Sequence, residues 1–113
     1  MDYRRGTRIA VKGEMVELYA ILRRGGWQSG TELGEAVVRS MRVGDEEMSD
    51  QVRWIRTYVL DEVDGSLGTV CIFEAMGPHA IRAHAVSAGL PCDEILRVAE
   101  TVIVRPDPDT ATT

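Results

Sequence analysis

Two patterns of apolar residues within the first 43 positions predict a strand followed by a helix. The run EMVELYAIL (14–22) is rich in apolar and β-forming residues and predicts the first strand, with the Gly-containing segment RRGGWQSG as a loop after it. Ser29 and Glu32 have the spacing of a helix capping box, and an apolar residue then recurs at every fourth position. This pattern predicts a helix over about 30–43, followed by an acidic loop.

The middle of the chain has the period-two alternation of paired strands. QVRWIRTYVL (51–60) alternates, and TVCIFEA (69–75) is a second strand-like run. The Asp64-Gly65 pair between them is a turn signal, so the two runs predict a β-hairpin.

The last third predicts a helix and a final strand. Pro78 at a first helical position and Gly89 after the last one bound a helix that ends at about Ala88. A loop with a short helical turn follows, and ETVIVR (100–105) is the predicted last strand.

The resulting order, β-α-β-β-α-β, is that of a ferredoxin-like α+β sandwich: a four-stranded antiparallel sheet with two helices on one face. We assign residues 14–105 to this domain, 1–13 to a flexible basic arm and 106–113 to a disordered tail. The other sheet face is left open. Pairing two sheets in a homodimer would hide it, which predicts an assembly like a dimeric α/β-barrel.

Composition narrows the class of partner. The 113 residues fit one domain, and a net charge of −5 disfavours nucleic acid or a membrane surface as a partner. No run is apolar enough to span a bilayer and no signal peptide is apparent, so we expect a cytoplasmic protein. Only two Cys and two His are present, and their spacing fits no zinc finger.

The metal-ligating side chains are the first candidates for chemistry. Imidazole and carboxylate donors suit a borderline divalent ion such as nickel or zinc. The candidate ligands are His84, Glu74, His79 and Tyr58. His79 and His84 are five residues apart, which places them about 140° apart around a helix. A shared ion would therefore need other ligands, water or a second subunit. The alternative is that His84 is a packed side chain on the apolar helix face.

The second candidate is the open sheet face. Trp54, Arg56 and Tyr58 share one side of their strand in a regular alternation, and Cys71 and Phe73 lie across the hairpin. These five residues predict a pocket for a small aromatic or anionic ligand, or alternatively a dimer interface or part of the core. No Cys/His/Asp arrangement is readable, so we assign no catalytic and no cofactor-binding residue.

Three segments together resemble a known family. VRWIRTYVLDE, TVCIFEA and AIRAHAVSAGLPCDEILRV are similar to segments of small bacterial nickel-binding proteins with a ferredoxin-like fold. The resemblance implies a homodimer that binds nickel. The chain departs from the family pattern in two places. Met76 stands where the family has Pro, and Ser87-Ala88 replaces a second histidine that some members carry.

These observations lead to one hypothesis and two alternatives. The first is a small cytoplasmic protein that binds nickel or another divalent transition metal for sequestration, delivery or sensing, with His84 and Glu74 as the main ligands. The second is a dimeric small-molecule binder or enzyme that uses the open sheet face. The third is an interaction module without a ligand.

Overall fold

Four antiparallel strands and two α-helices make up the body of the computed structural model, which describes residues 3–4, 10–11 and 14–108. The elements in chain order are β1 (Tyr3–Arg4), β2 (Ala10–Val11), β3 (Glu14–Met15), β4 (Glu17–Trp27), α1 (Gly30–Arg42), a π-helical turn (Val43–Glu47), β5 (Val52–Asp61), β6 (Leu67–Ala75), α2 (Pro78–Ala88), β7 (Glu94–Arg97) and β8 (Thr101–Val102).

The main sheet has the strand order β5-β6-β4-β7, and every neighbouring pair is antiparallel. β4 and β6 occupy the centre and supply most of the sheet side of the core. Helix α1 connects β4 to β5, and helix α2 connects β6 to β7. The two helices form one layer on the same side of the sheet. This arrangement confirms the predicted ferredoxin-like α+β fold.

Helix α1 begins where the capping signal predicts. The Glu32 backbone N–H donates to Ser29 Oγ at 3.2 Å, and Glu32 Oε1 accepts in return from the Gln28 backbone N–H at 3.0 Å. The acidic loop predicted after the helix is wrong, because the chain continues as the π-helical turn Val43–Glu47. Val43 is buried in the core there, so an apolar anchor holds the turn against the sheet.

The loop predicted directly after the first strand is also wrong, since β4 continues to Trp27. Its pairing with β6 is irregular between Arg23 and Trp27, and Gly25 lies within this interval with a φ of 55°. A left-handed backbone is accessible to glycine at little cost. The Gly-rich segment therefore bends the strand and does not end it.

The fourth strand of the sheet differs from the predicted one. β7, within the predicted helical turn, pairs with Tyr19–Leu22 of β4, and Ile95 packs against the core. Residues 100–105 do not join this sheet. Within them Thr101 and Val102 pair with Tyr3 and Arg4 instead.

A β-bulge in β5 changes which side chains share a face. Trp54 pairs with Phe73 and Arg56 with Ile72, so Ile55 is an extra residue in the ladder. An extra residue reverses the alternation beyond it. Trp54 therefore shares the helix-covered face with Thr57, whereas Arg56 lies on the opposite, open face.

Candidate functional site

His84 lies inside the molecule, between α2 and the sheet. Its side chain is 1% exposed, and its ring centroid is 5.2 Å from that of Phe73. Nε2 lies 3.0 Å from the Ser40 carbonyl oxygen of α1, so Nε2 carries the proton and donates. Nδ1 is buried and has no hydrogen-bond partner among the described residues. The His84 side chain therefore links α2 to α1, and the lone pair on its buried Nδ1 is not accessible to an ion from solvent.

Burial keeps the His84 imidazole neutral. Loss of solvation is the main cause that lowers the pKa of His84 below 6.5, and the positive charge of Arg23 lowers the pKa further. The hydrogen bond to the Ser40 carbonyl acts in the opposite direction and only partly offsets them.

Glu74, the predicted acidic partner of His84, lies on the other side of the sheet. Its neighbour Phe73 faces the helices, and successive residues of a strand point to opposite faces. The Glu74 side chain is mostly buried on the open face, where Oε1 lies 3.4 Å from Nη1 of Arg53. The sheet therefore separates Glu74 from His84.

The other two predicted ligands, His79 and Tyr58, are exposed. His79 lies in the first turn of α2, with its ring beside Gly77. The Tyr58 hydroxyl, on the open face, donates to Asp107 Oδ2 at 2.7 Å, and Arg56 Nη1 donates to the same oxygen at 2.6 Å. These contacts hold the pKa of Asp107 below its ordinary value, with the Tyr58 hydrogen bond as the largest cause.

The candidate ligands do not form a metal site. Among the described side chains of residues 16–108, no group of three or more His, Cys, Asp or Glu residues is arranged to hold an ion. His84, Glu74, His79 and Tyr58 do not fit one nickel ion within a single chain.

The five residues predicted to line one ligand or dimer face are divided between the two faces, so their grouping was wrong. Trp54 stacks on Phe73 with ring centroids 5.9 Å apart and planes 5° apart, and Cys71 is buried on the same helix-covered side. Arg56 and Tyr58 remain on the open face. The bulge at Ile55 is the physical reason for this division.

The open face carries a cleft of about 670 Å³. The sheet contributes Leu18, Ile55 and Ile72, and the chain after β7 passes along it with Ile103 and Asp107. This volume lies within the range of about 300–1,000 Å³ that is usual for ligand pockets.

A second space, which the sequence pattern did not predict, lies on the helix-covered side. A cavity of about 260 Å³ lies between α1 and the sheet, and Arg23 is one of its lining residues although its side chain is 1% exposed. The alternation in β4 was a signal for this placement, because Arg23 has the same parity as the buried Tyr19 and Ile21. Gly25 and Gly26, which follow directly in the sequence, favour a loop instead and are the reason for the loop prediction.

The fold and the two spaces define a class, the small ferredoxin-like α+β proteins with one open sheet face. Within that class the chain belongs to a family described as nickel responsive protein, SCO4226-like, whose model matches residues 19–98. This confirms the resemblance drawn from the sequence.

One solved structure supports the fold independently. The crystal structure of SCO4226 from Streptomyces coelicolor A3(2) is similar, with a TM-score of 0.60 and 19% sequence identity over 75% of this chain and 99% of that one. No curated protein matches the chain at a significant level. Among the described residues, no helix combines the length and apolar character needed to cross a membrane.

Proposed function

We propose that this protein takes part in a cell's response to nickel, as a small cytoplasmic homodimer that binds the metal for sequestration, delivery or sensing. The observation that carries the proposal is the family match over residues 19–98, because the family is described as nickel responsive.

The placement of the nitrogen and sulfur donors supports binding between copies of the chain. His84 and Cys71 are buried, which leaves His79 and the partly exposed Cys92 accessible. His79 lies in the first turn of α2 and Cys92 lies beyond its C-terminal end, and the helix between them is about 15 Å long at 1.5 Å per residue. One ion cannot reach both, so the proposal assigns His79 as a ligand and takes the completing donors from a second copy.

The open sheet face supports the homodimer. It presents Ile55, Tyr58 and Leu18 beside the exposed apolar residues Val102 and Ile103. An apolar sheet face of a small domain is stabilised when a second copy covers it. A specific interface of this kind should bury at least about 1,000 Å² in total.

Native mass spectrometry with added nickel tests both parts, because it reports subunit number and bound metal together. We expect a dimer that retains nickel. The Ile55→Asp variant should be a monomer, whereas Val86→Asp, which changes a residue 82% exposed on α2, should remain a dimer. A monomeric wild type would contradict the dimer.

The same measurement on two histidine variants tests the ligand. His79→Ala should lose nickel, and His84→Ala should retain it while unfolding more easily. The reverse result would make His84 the ligand and would require α2 to move away from Ser40. Nickel retained equally by both variants would remove histidine from the proposal.

Small-molecule binding in the open-face cleft is the second candidate function, and the cleft's volume of about 670 Å³ favours it. A second copy on this face could enclose the cleft, so subunit number does not separate the two candidates. A protein that retains no nickel would support the second candidate over the first.

A further inference from the structure

We propose that the cavity between α1 and the sheet binds a small organic acid, a monocarboxylate with a compact apolar body, whose carboxylate pairs with the guanidinium of Arg23. This space, called the α1 cavity below, measures about 260 Å³ and is lined on its apolar side by Trp27, Leu33, Val37 and Trp54. The inference is independent of nickel and of the proposed function.

The charge of Arg23 is the first observation. Nε donates to the Pro91 carbonyl at 2.7 Å and Nη1 to Cys71 Sγ at 3.1 Å, but Nη2 is buried and has no partner among the described residues. No carboxylate within residues 16–108 forms an ion pair with this guanidinium. A guanidinium does not lose its proton in proteins, and a buried charge is costly until it is paired.

Four neighbouring polar side chains of the cavity, those of Trp54, Thr57, Thr69 and Cys71, are already engaged with one another. Thr57 Oγ1 accepts from Trp54 Nε1 at 2.8 Å and donates to Cys71 Sγ at 3.1 Å. A thiol hydrogen on Cys71 has Thr69 Oγ1 as its acceptor, 3.7 Å away. The buried donor left without a partner here, Arg23 Nη2, is cationic, which favours an anion over a neutral polar ligand.

Size and access define the rest of the ligand. The volume is slightly below the usual lower limit of about 300 Å³ for ligand pockets, so the ligand is compact. The indole of Trp54 is held in place by Phe73 and Thr57, which gives the apolar body a rigid aromatic wall. Val59 is half exposed and also lines the cavity, which places an opening at the outer edge of β5.

Tryptophan fluorescence reports directly on this site, because Trp27 and Trp54 are the two tryptophans of the chain and both line the α1 cavity. The probes are cyclohexanecarboxylate and its neutral amide, which match in shape and do not absorb at the excitation wavelength. We expect a saturable change with the acid and at least about tenfold weaker binding of the amide, the usual effect of one charge-assisted hydrogen bond.

Two variants and a matched control test the assignment. Arg23→Met should abolish the preference for the acid. Arg24→Met, which removes the exposed neighbouring arginine that pairs with Glu62, should keep it. Val37→Phe should weaken both probes by filling the cavity. If Arg23→Met does not fold, the acid–amide comparison and Val37→Phe still decide.

Three results would overturn the inference: no saturable response to the acid, equal binding of acid and amide, or loss of the preference in Arg24→Met as well as in Arg23→Met. The nickel experiment is unaffected by any of them, so failure here and failure of the proposed function can be distinguished.

Discussion

The buried imidazole of His84 should make folding stability depend on pH in a predictable direction. Its pKa in the folded protein lies below 6.5, mainly because burial disfavours the charged form. Between that lowered pKa and 6.5, the unfolded chain binds more protons than the folded one, so stability falls as pH decreases. The contribution of His84 is fully present above 6.5 and is lost as pH falls through the folded-state pKa.

The magnitude has an upper limit. If the folded protein bound no proton at His84 at pH 5.5, one pH unit below 6.5, the loss would be about 1.4 kcal/mol. Replacing His84 by Leu keeps most of the volume and removes the titration. The hydrogen bond to Ser40 is lost, but that carbonyl still accepts from the Val43 backbone N–H. We therefore expect His84→Leu to cost no more than about 1 kcal/mol at pH 8.

Urea unfolding of the wild type and His84→Leu from pH 8 to 5.5 measures the effect as a difference of free energies of unfolding. The wild type should lose up to about 1.4 kcal/mol relative to the variant over this range. His79→Leu is the matched control, because His79 is exposed, and it should follow the wild type. The neutral buried imidazole would be refuted if the difference in unfolding free energy between the wild type and His84→Leu stayed constant with pH. It would also be refuted if the wild type became relatively more stable as pH falls.

Two further predictions concern helix ends. Ser29→Ala removes the oxygen that accepts from the Glu32 backbone N–H and should cost about 1 kcal/mol of unfolding free energy in urea, whereas Ser87→Ala on exposed α2 surface should be near neutral. Gly89→Ala should destabilise by about 1–2 kcal/mol because Gly89 has a φ of 69°, while Gly34→Ala inside α1, with open space around it, should raise the thermal midpoint. Equal effects of Gly89→Ala and Gly34→Ala on stability would contradict the backbone conformations assigned to these two glycines.

The local signals in the sequence determined the elements whose ends depend on neighbouring residues. The spacing of Ser29 and Glu32 specifies the start of α1, since a capping box forms within one turn. Pro78 and Gly89 specify the two ends of α2 through local conformation. Pro78 fixes a helical φ at the start, and Gly89 adopts a left-handed φ after the last residue. The hairpin around Gly65 and the overall β-α-β-β-α-β order follow from such signals as well.

The faces of the sheet were decided only by the tertiary structure. A single extra residue at Ile55 reverses every side chain beyond it, and nothing in a regular alternation marks where a bulge falls. The choice of β7 over residues 100–105 as edge strand likewise depends on which segment reaches β4 and buries Ile95 against the core.

The candidate sites show the same division. From the sequence, His84 could be predicted either as a metal ligand or as a packed side chain. Whether its ring contacts an ion or the Ser40 carbonyl depends on how α1 packs against α2. The separation of Glu74 from His84 and the burial of Arg23 are consequences of strand parity within a layered fold. Residue types and their spacing along a chain show which functional groups are available. Only tertiary packing determines which of these groups come into contact and which are left without a partner.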